Sequence, residues 1–85
     1  MKRVRLKKDV RVFEKSGTGS LLCRTGMFLK RDEQIEIDEP ETVCYDHMDK
    51  MAVSFQLANN KGYYLLCEEL VYDVVPIAIY EGGMP

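Results

Sequence analysis

Residues 53–75, VSFQLANNKGYYLLCEELVYDVV, decide the fold. Two apolar runs rich in aromatic and β-branched side chains flank Asn59-Asn60-Lys61-Gly62, the composition of a tight hairpin connection. After the second run, Cys67-Glu68-Glu69-Leu70 reads as a single helical turn, and Val71-Tyr72-Asp73-Val74 returns to strand. A hairpin, a short turn and a closing strand are how a small β-barrel ends. The segment predicts architecture and carries no chemistry.

The rest of the chain agrees with that class. From Val4 to Val12 the even positions are Val4, Leu6, Lys8, Val10 and Val12, and the odd positions are Arg5, Lys7, Asp9 and Arg11. Period two with a break at Lys7-Lys8-Asp9 predicts one kinked strand or two short ones, with one face buried. Ser16-Gly17-Thr18-Gly19-Ser20 reverses the chain. Its Gly-x-Gly is no phosphate loop, because no Gly-Lys-Ser/Thr and no helical pattern follow. Residues 21–25 read as a strand, Gly26 as a turn or bulge, and Met27-Phe28-Leu29 as a buried step. Lys30-Arg31-Asp32-Glu33 then turns the chain into the alternating strand Gln34-Ile35-Glu36-Ile37-Asp38. In residues 38–52, Asp38 with Glu41 resembles a capping box, and Val43, Cys44, His47, Met48 and Met51 share a helical face. A short amphipathic helix or ordered excursion is expected there, with a packed, half-buried His47.

The reading is a mainly β domain over residues 1–75, a small barrel of five or six short strands with one short helix or helical turns. Residues 76–85 form a C-terminal apolar strand or tail. The expected core is Val4, Leu6, Val10, Val12, Leu22, Met27, Leu29, Ile35, Ile37, Val53, Phe55, Leu57, Leu65 and Leu70.

Eighty-five residues suffice for one domain with a thin core. A hydrophobic content of 46% with 31% charged residues argues against disorder. No apolar run approaches the roughly 20 residues of a bilayer-spanning helix. The basic start, Met1-Lys2-Arg3-Val4-Arg5, has no apolar segment behind it. A cytoplasmic location is expected. The three cysteines, Cys23, Cys44 and Cys67, fit it, since an odd number at wide intervals is no disulfide framework. Cys23 and Cys67 each follow a Leu-Leu pair and read as small buried hydrophobes. A zinc site would need Cys23, Cys44, His47 and Cys67, but only Cys44-x-x-His47 has ligand spacing, so reduced, metal-free cysteines are expected. No nucleophile–base–orienter set is present for catalysis, and no cofactor motif. The acidic residues Asp32 to Glu41 lack the glycine and alternating oxygens of a calcium loop.

The net charge of −2 conceals a polarised chain: residues 1–31 carry +8 and residues 32–85 carry −10. The preferred reading sets basic strands beside acidic ones, so that charges pair across the sheet. The alternative is a small single-stranded nucleic-acid-binding barrel with a basic stripe of Arg3, Arg5, Lys7 and Arg11 and Phe13 as a stacking surface.

The stretch Gly26-Met27-Phe28-Leu29-Lys30-Arg31-Asp32-Glu33-Gln34-Ile35-Glu36-Ile37 resembles the Gly-x-Leu-Lys-x-Gly-x-x-Val-x-Val segment of bacterial Src homology 3-type domains. Gly62-Tyr63-Tyr64 with a trailing Leu70 is similar to their Gly-Tyr-Val plus Leu. The resemblance spans residues 10–75 and implies a fold. It carries over no ligand, because tryptophan is absent and the acidic-plus-tyrosine motif of a proline-peptide groove is missing.

The functional expectation is a non-catalytic protein–protein interaction module. The apolar, β-prone tail supplies Ile77, Ile79 and Tyr80 to pair with a second copy or another protein. By association, small cytosolic domains of this size and composition are often of phage or mobile-element origin.

Overall fold

The computed structural model describes residues 2–16, 21–57 and 60–76. Eight strands and one 3₁₀ turn follow in chain order: β1 (Lys2–Leu6), β2 (Val10–Lys15), β3 (Leu22–Leu29), β4 (Gln34–Ile37), β5 (Glu41–Tyr45), β6 (Met48–Leu57), β7 (Asn60–Leu66), the turn η1 (Cys67–Glu69) and β8 (Tyr72–Val74). The strands form one antiparallel sheet in the order β3-β2-β7-β6-β4-β1-β8, with β5 branching off β6. Among the described residues the protein is therefore mainly β with eight strands rather than five or six, and no pairing closes β3 onto β8.

Residues 38–52 depart from the expected helix. They form β5, a two-residue turn and the start of β6, in the register Glu41↔Ala52 to Tyr45↔Met48. Local propensity explains this, since Thr42-Val43-Cys44-Tyr45 is a β-branched and aromatic run. Val43 and Ala52, both buried, follow strand periodicity on their own strands. His47 stands exposed at the hairpin tip, not half-buried on a helix. Asp46 and His47 have φ of 56° and 61°, the positive pair that a tight two-residue hairpin turn needs. Replacing His47 with Gly should relieve about 1–2 kcal/mol of left-handed strain. Glycine's extra backbone entropy gives back about 0.5–1 kcal/mol. A net gain of roughly 0.5–1 kcal/mol is expected from that difference, read as a higher urea midpoint at unchanged slope.

Two other turns show the same local logic. Asp32 stands at φ 75°, and Glu33 N–H donates to the Lys30 carbonyl at 3.1 Å. Asn60 and Gly62 belong to β7, not to the connection. The β6–β7 register shifts between Phe55↔Tyr63 and Leu57↔Asn60, so β7 holds one extra residue there, and Gly62 at φ 95° fits such a bulge.

The central strands are buried on both faces. Val10, Val12, Val53, Phe55 and Leu65 enter a first core with Val4, Leu6, Leu29 and Ile37. The alternate residues of the same strands, Phe13, Ala52, Tyr64 and Leu66, enter a second core with Leu22 and Val43. The long β6 makes both possible: its first half pairs with β5 and Phe55 pairs with Ile37 of β4. At the crossing between them, Ser54 Oγ donates to Asp38 Oδ2 at 2.8 Å, and Asp38 N–H donates to the Ser54 carbonyl at 3.0 Å. A bridge between Leu21 and Cys44 brings the start of β3 against β5 and shuts one end of the second core.

Ten of the expected core residues are buried. Met27 is not: it is 39% exposed in the β3 bulge, where Thr25, Gly26 and Met27 together oppose Val12. Thr25 Oγ1 holds that bulge by donating to the Val12 carbonyl at 2.6 Å and accepting from Met27 N–H at 3.0 Å. Ile35 and Leu70 are partly buried against the first core, and the Leu57 side chain lies outside the described set. Phe13, Val43, Ala52, Tyr64 and Leu66 are buried without having been expected, because a one-sided strand pattern hides a second core.

Candidate interaction edges

The sheet ends in two strands that each have one partner among the described residues: β8, which pairs with β1, and β3, which pairs with β2. In an antiparallel pair, successive residues turn their backbone groups alternately toward and away from the partner. Val75 N–H donates to the Arg3 carbonyl and Lys7 N–H to the Val71 carbonyl, both at 2.9 Å. With the register Val4↔Val74, Arg5↔Asp73 and Leu6↔Tyr72, the N–H and C=O of Tyr72 and Val74 point away from β1. Val71 and Val74 flank this edge with 46% and 60% of their surface exposed. Ile77, Ile79 and Tyr80, expected to make the contact, lie outside the described residues.

On β3, Ser16 N–H donates to the Leu21 carbonyl at 2.9 Å, and the register runs Lys15↔Leu22, Glu14↔Cys23, Phe13↔Arg24. Leu22 and Arg24 therefore direct their backbone groups away from β2. Leu22 lies beside the bridge to β5, whereas the edge from Arg24 onward faces no described strand. Arg24 Nε donates to the Tyr45 hydroxyl at 2.7 Å. That bond, with Asp46 and Glu69 nearby, holds the guanidinium further toward its charged form. Arg11 lies over the exposed Phe28 ring at 4.5 Å and donates to the Thr25 carbonyl at 3.1 Å.

The proposed basic stripe is divided. Arg3, Arg5 and Lys7 lie on and just after β1, while Arg11 and Phe13 lie on β2, and β4, β6 and β7 separate the two strands. The break at Lys7-Lys8-Asp9 sends the chain across the sheet instead of continuing one strand. Phe13 is 1% exposed and offers no stacking surface, since the second core covers its face. Arg3 pairs with Glu36 at 3.0 Å and Lys7 with Asp73 at 3.9 Å, so β1 lies between two strands of the acidic half. Lys15–Glu41 at 3.8 Å joins the halves elsewhere, and Lys50–Glu68 at 2.9 Å lies within the acidic half. The Glu68 bond raises the Lys50 ammonium above its ordinary pKa. Exposed pairs of this kind contribute little to stability.

The cysteines sit on different elements. Cys23 is exposed on β3, correcting the buried reading, because its neighbour Leu22 takes the inward position. Cys44 and Cys67 are partly buried, and burial pushes the Cys67 thiol up. No group of three or more His, Cys, Asp or Glu side chains among the described residues is arranged to hold a metal ion.

Hollows open at three places among the described residues. One of about 660 Å³ opens where β4 leaves β6, between Gln34, Glu36, Ser54 and Gln56. One of about 270 Å³ sits at the mouth of the first core beside Cys67, Leu70 and Tyr72. One of about 300 Å³ lies between Arg24, Tyr45, Lys50 and Glu69 at the mouth of the second. Glu69 Oε1 is buried there without a hydrogen-bond partner. None of them brings a nucleophile and a base together with a group to orient the base. No helix among the described residues is long and apolar enough to cross a membrane. Comparison with protein-family models, with curated proteins and with solved structures finds no match.

Proposed function

We propose that the chain is a non-catalytic protein-interaction module of Src homology 3-like type, binding through the sheet edge at β8. The observation that carries this reading is the outward-facing backbone of Tyr72 and Val74, unpaired among the described residues and flanked by exposed Val71 and Val74. An open apolar edge is a template for another strand, from a second copy or from another protein. The β6–β7 hairpin, the single 3₁₀ turn and β8 returning to β1 support the Src homology 3-like part. Single-stranded nucleic-acid binding is the less favoured alternative, because its cations are split between two strands and its aromatic is buried.

The test is self-association by sedimentation up to high micromolar concentration. The full chain is expected to associate. Val74→Pro should abolish this, since it removes an outward N–H and no bond to β1. Ile77→Lys should do the same by placing a charge in a dry contact. Removing residues 76–85 should leave a folded monomer, because every described residue of both cores precedes them. A full-length monomer throughout the range would refute pairing with a second copy. Unfolding on truncation would instead make the tail part of the domain.

A further inference from the structure

We infer that Cys23 and Cys44 together form a two-thiolate site for one copper(I) ion, on the face of β3 and β5 turned away from the second core. The site is independent of the β8 edge and uses other strands.

One backbone bridge sets the site up. Leu21, at the start of β3, stands directly opposite Cys44 of β5 in a parallel contact. Opposed residues share a face, and so do residues two apart along a strand. Leu22 and Val43 enter the second core at 3% and 1% exposure, so their neighbours Cys23 and Cys44 turn the other way. Cys23 therefore lies diagonally from Cys44 on the same face, one exposed and the other partly buried. Diagonal cross-strand neighbours have Cα atoms about 7–8 Å apart. A disulfide needs about 4.4–6.8 Å, so direct bonding is disfavoured. An ion between the sulfurs removes the mismatch, because two metal–sulfur bonds of about 2.3 Å replace one S–S bond of about 2.05 Å.

The ligand set chooses the ion. A pair of thiolates suits soft copper(I), whereas structural zinc takes four ligands and calcium takes oxygens. Among the described residues no third His, Cys, Asp or Glu completes a larger set. Glu14 stands opposite Cys23 and Asp49 opposite Cys44, so an exposed carboxylate flanks the pair on each side. Neither has an ion-pair partner among the described residues, and both draw a cation toward the thiols. On binding, each thiol releases its proton to solvent and each thiolate gives an electron pair to copper, whose oxidation state is unchanged.

Anaerobic titration of the full chain with copper(I) in acetonitrile tests this, read by native mass spectrometry and by competition with a chromogenic copper(I) chelator. Wild type should hold one copper per chain. Cys23→Ser and Cys44→Ser should each weaken binding roughly 100-fold or more, since even groups that only orient a metal ligand are worth about 10–100-fold. Cys67→Ser should bind as wild type does, because Cys67 packs against the first core. Far-UV circular dichroism checks that each variant is folded. Cys23 is exposed and tolerates serine, and Cys44→Ala replaces Cys44→Ser if the hydroxyl unsettles that partly buried position. Wild-type affinity in a folded Cys23 or Cys44 variant would overturn the paired site. One copper shared by two chains, or no copper bound at all, would overturn it as well.

Discussion

Truncating Phe55 to alanine is expected to cost about 3–5 kcal/mol, the range for removing a large buried aromatic. Phe55 is 4% exposed and stands where three strands meet, opposite Ile37 of β4 and Tyr63 of β7. Its ring centroid lies 6.3 Å from that of Tyr63, so truncation removes an aromatic contact as well as apolar area. It also leaves a cavity at the point where β4 is joined to β6 by a single residue pair. A small domain has only about 5–15 kcal/mol in total, so the variant should be close to unfolded at 37 °C. Ile37→Ala, at the same junction, should cost about 2–5 kcal/mol. Urea unfolding of both variants measures this. A loss below 1 kcal/mol at both would place the pair on the surface and break the β4–β6 register.

The strands around that junction were legible because one face of each strand is apolar and the next residue polar. Gln34-Ile35-Glu36-Ile37 and the Val4, Leu6 pair read directly as strands. The closing elements did too: η1 and β8 stand at the residues where the turn and returning strand were expected. Residues 38–52 were not legible, because Val43, Met48 and Met51 fit both a helical face and a hairpin. The positive φ at Asp46 and His47 separates the two, and neither residue is the glycine that announces such a turn. The Thr-Val-Cys-Tyr run was the signal that could have found β5.

Site legibility has a similar limit. Cations at odd positions from Arg3 to Arg11 look like one stripe in the chain, yet strands adjacent in sequence need not be adjacent in a sheet. Here β1 takes β4 and β8 as neighbours and β2 takes β3 and β7. The β1 cations therefore meet acids, while Arg11 and Arg24 meet an aromatic ring and a hydroxyl. The open edge at β3 was invisible for the same reason, since only the sheet order shows which strand is last. What the sequence did carry was the acidic, apolar character of the C-terminal third and the basic character of residues 22–31.

Truncating Phe13 to alanine should also cost about 3–5 kcal/mol, although its place in the sequence reads as surface. Phe13 has the same strand parity as Arg11, and the residue between them, Val12, points into the first core. On a sheet with one wet face, that would leave Phe13 in solvent. The second core removes the wet face. Phe13 is 1% exposed, packs with Leu22, Val43, Ala52, Tyr64 and Leu66, and meets the Tyr45 ring edge-on at 4.9 Å. Its loss should loosen the β5–β6 hairpin before the first core. Amide exchange should therefore rise in residues 41–52 while β1 and β4 keep their protection. Phe28→Ala is the control: at 46% exposure, paired only with Arg11, it should change stability by about 0.5 kcal/mol or less. If Phe13→Ala is as mild as Phe28→Ala, the second core does not exist in solution and Phe13 returns to the surface. If it is costly but exchange rises uniformly over both cores, the two fold as one unit and the hairpin is no separate layer.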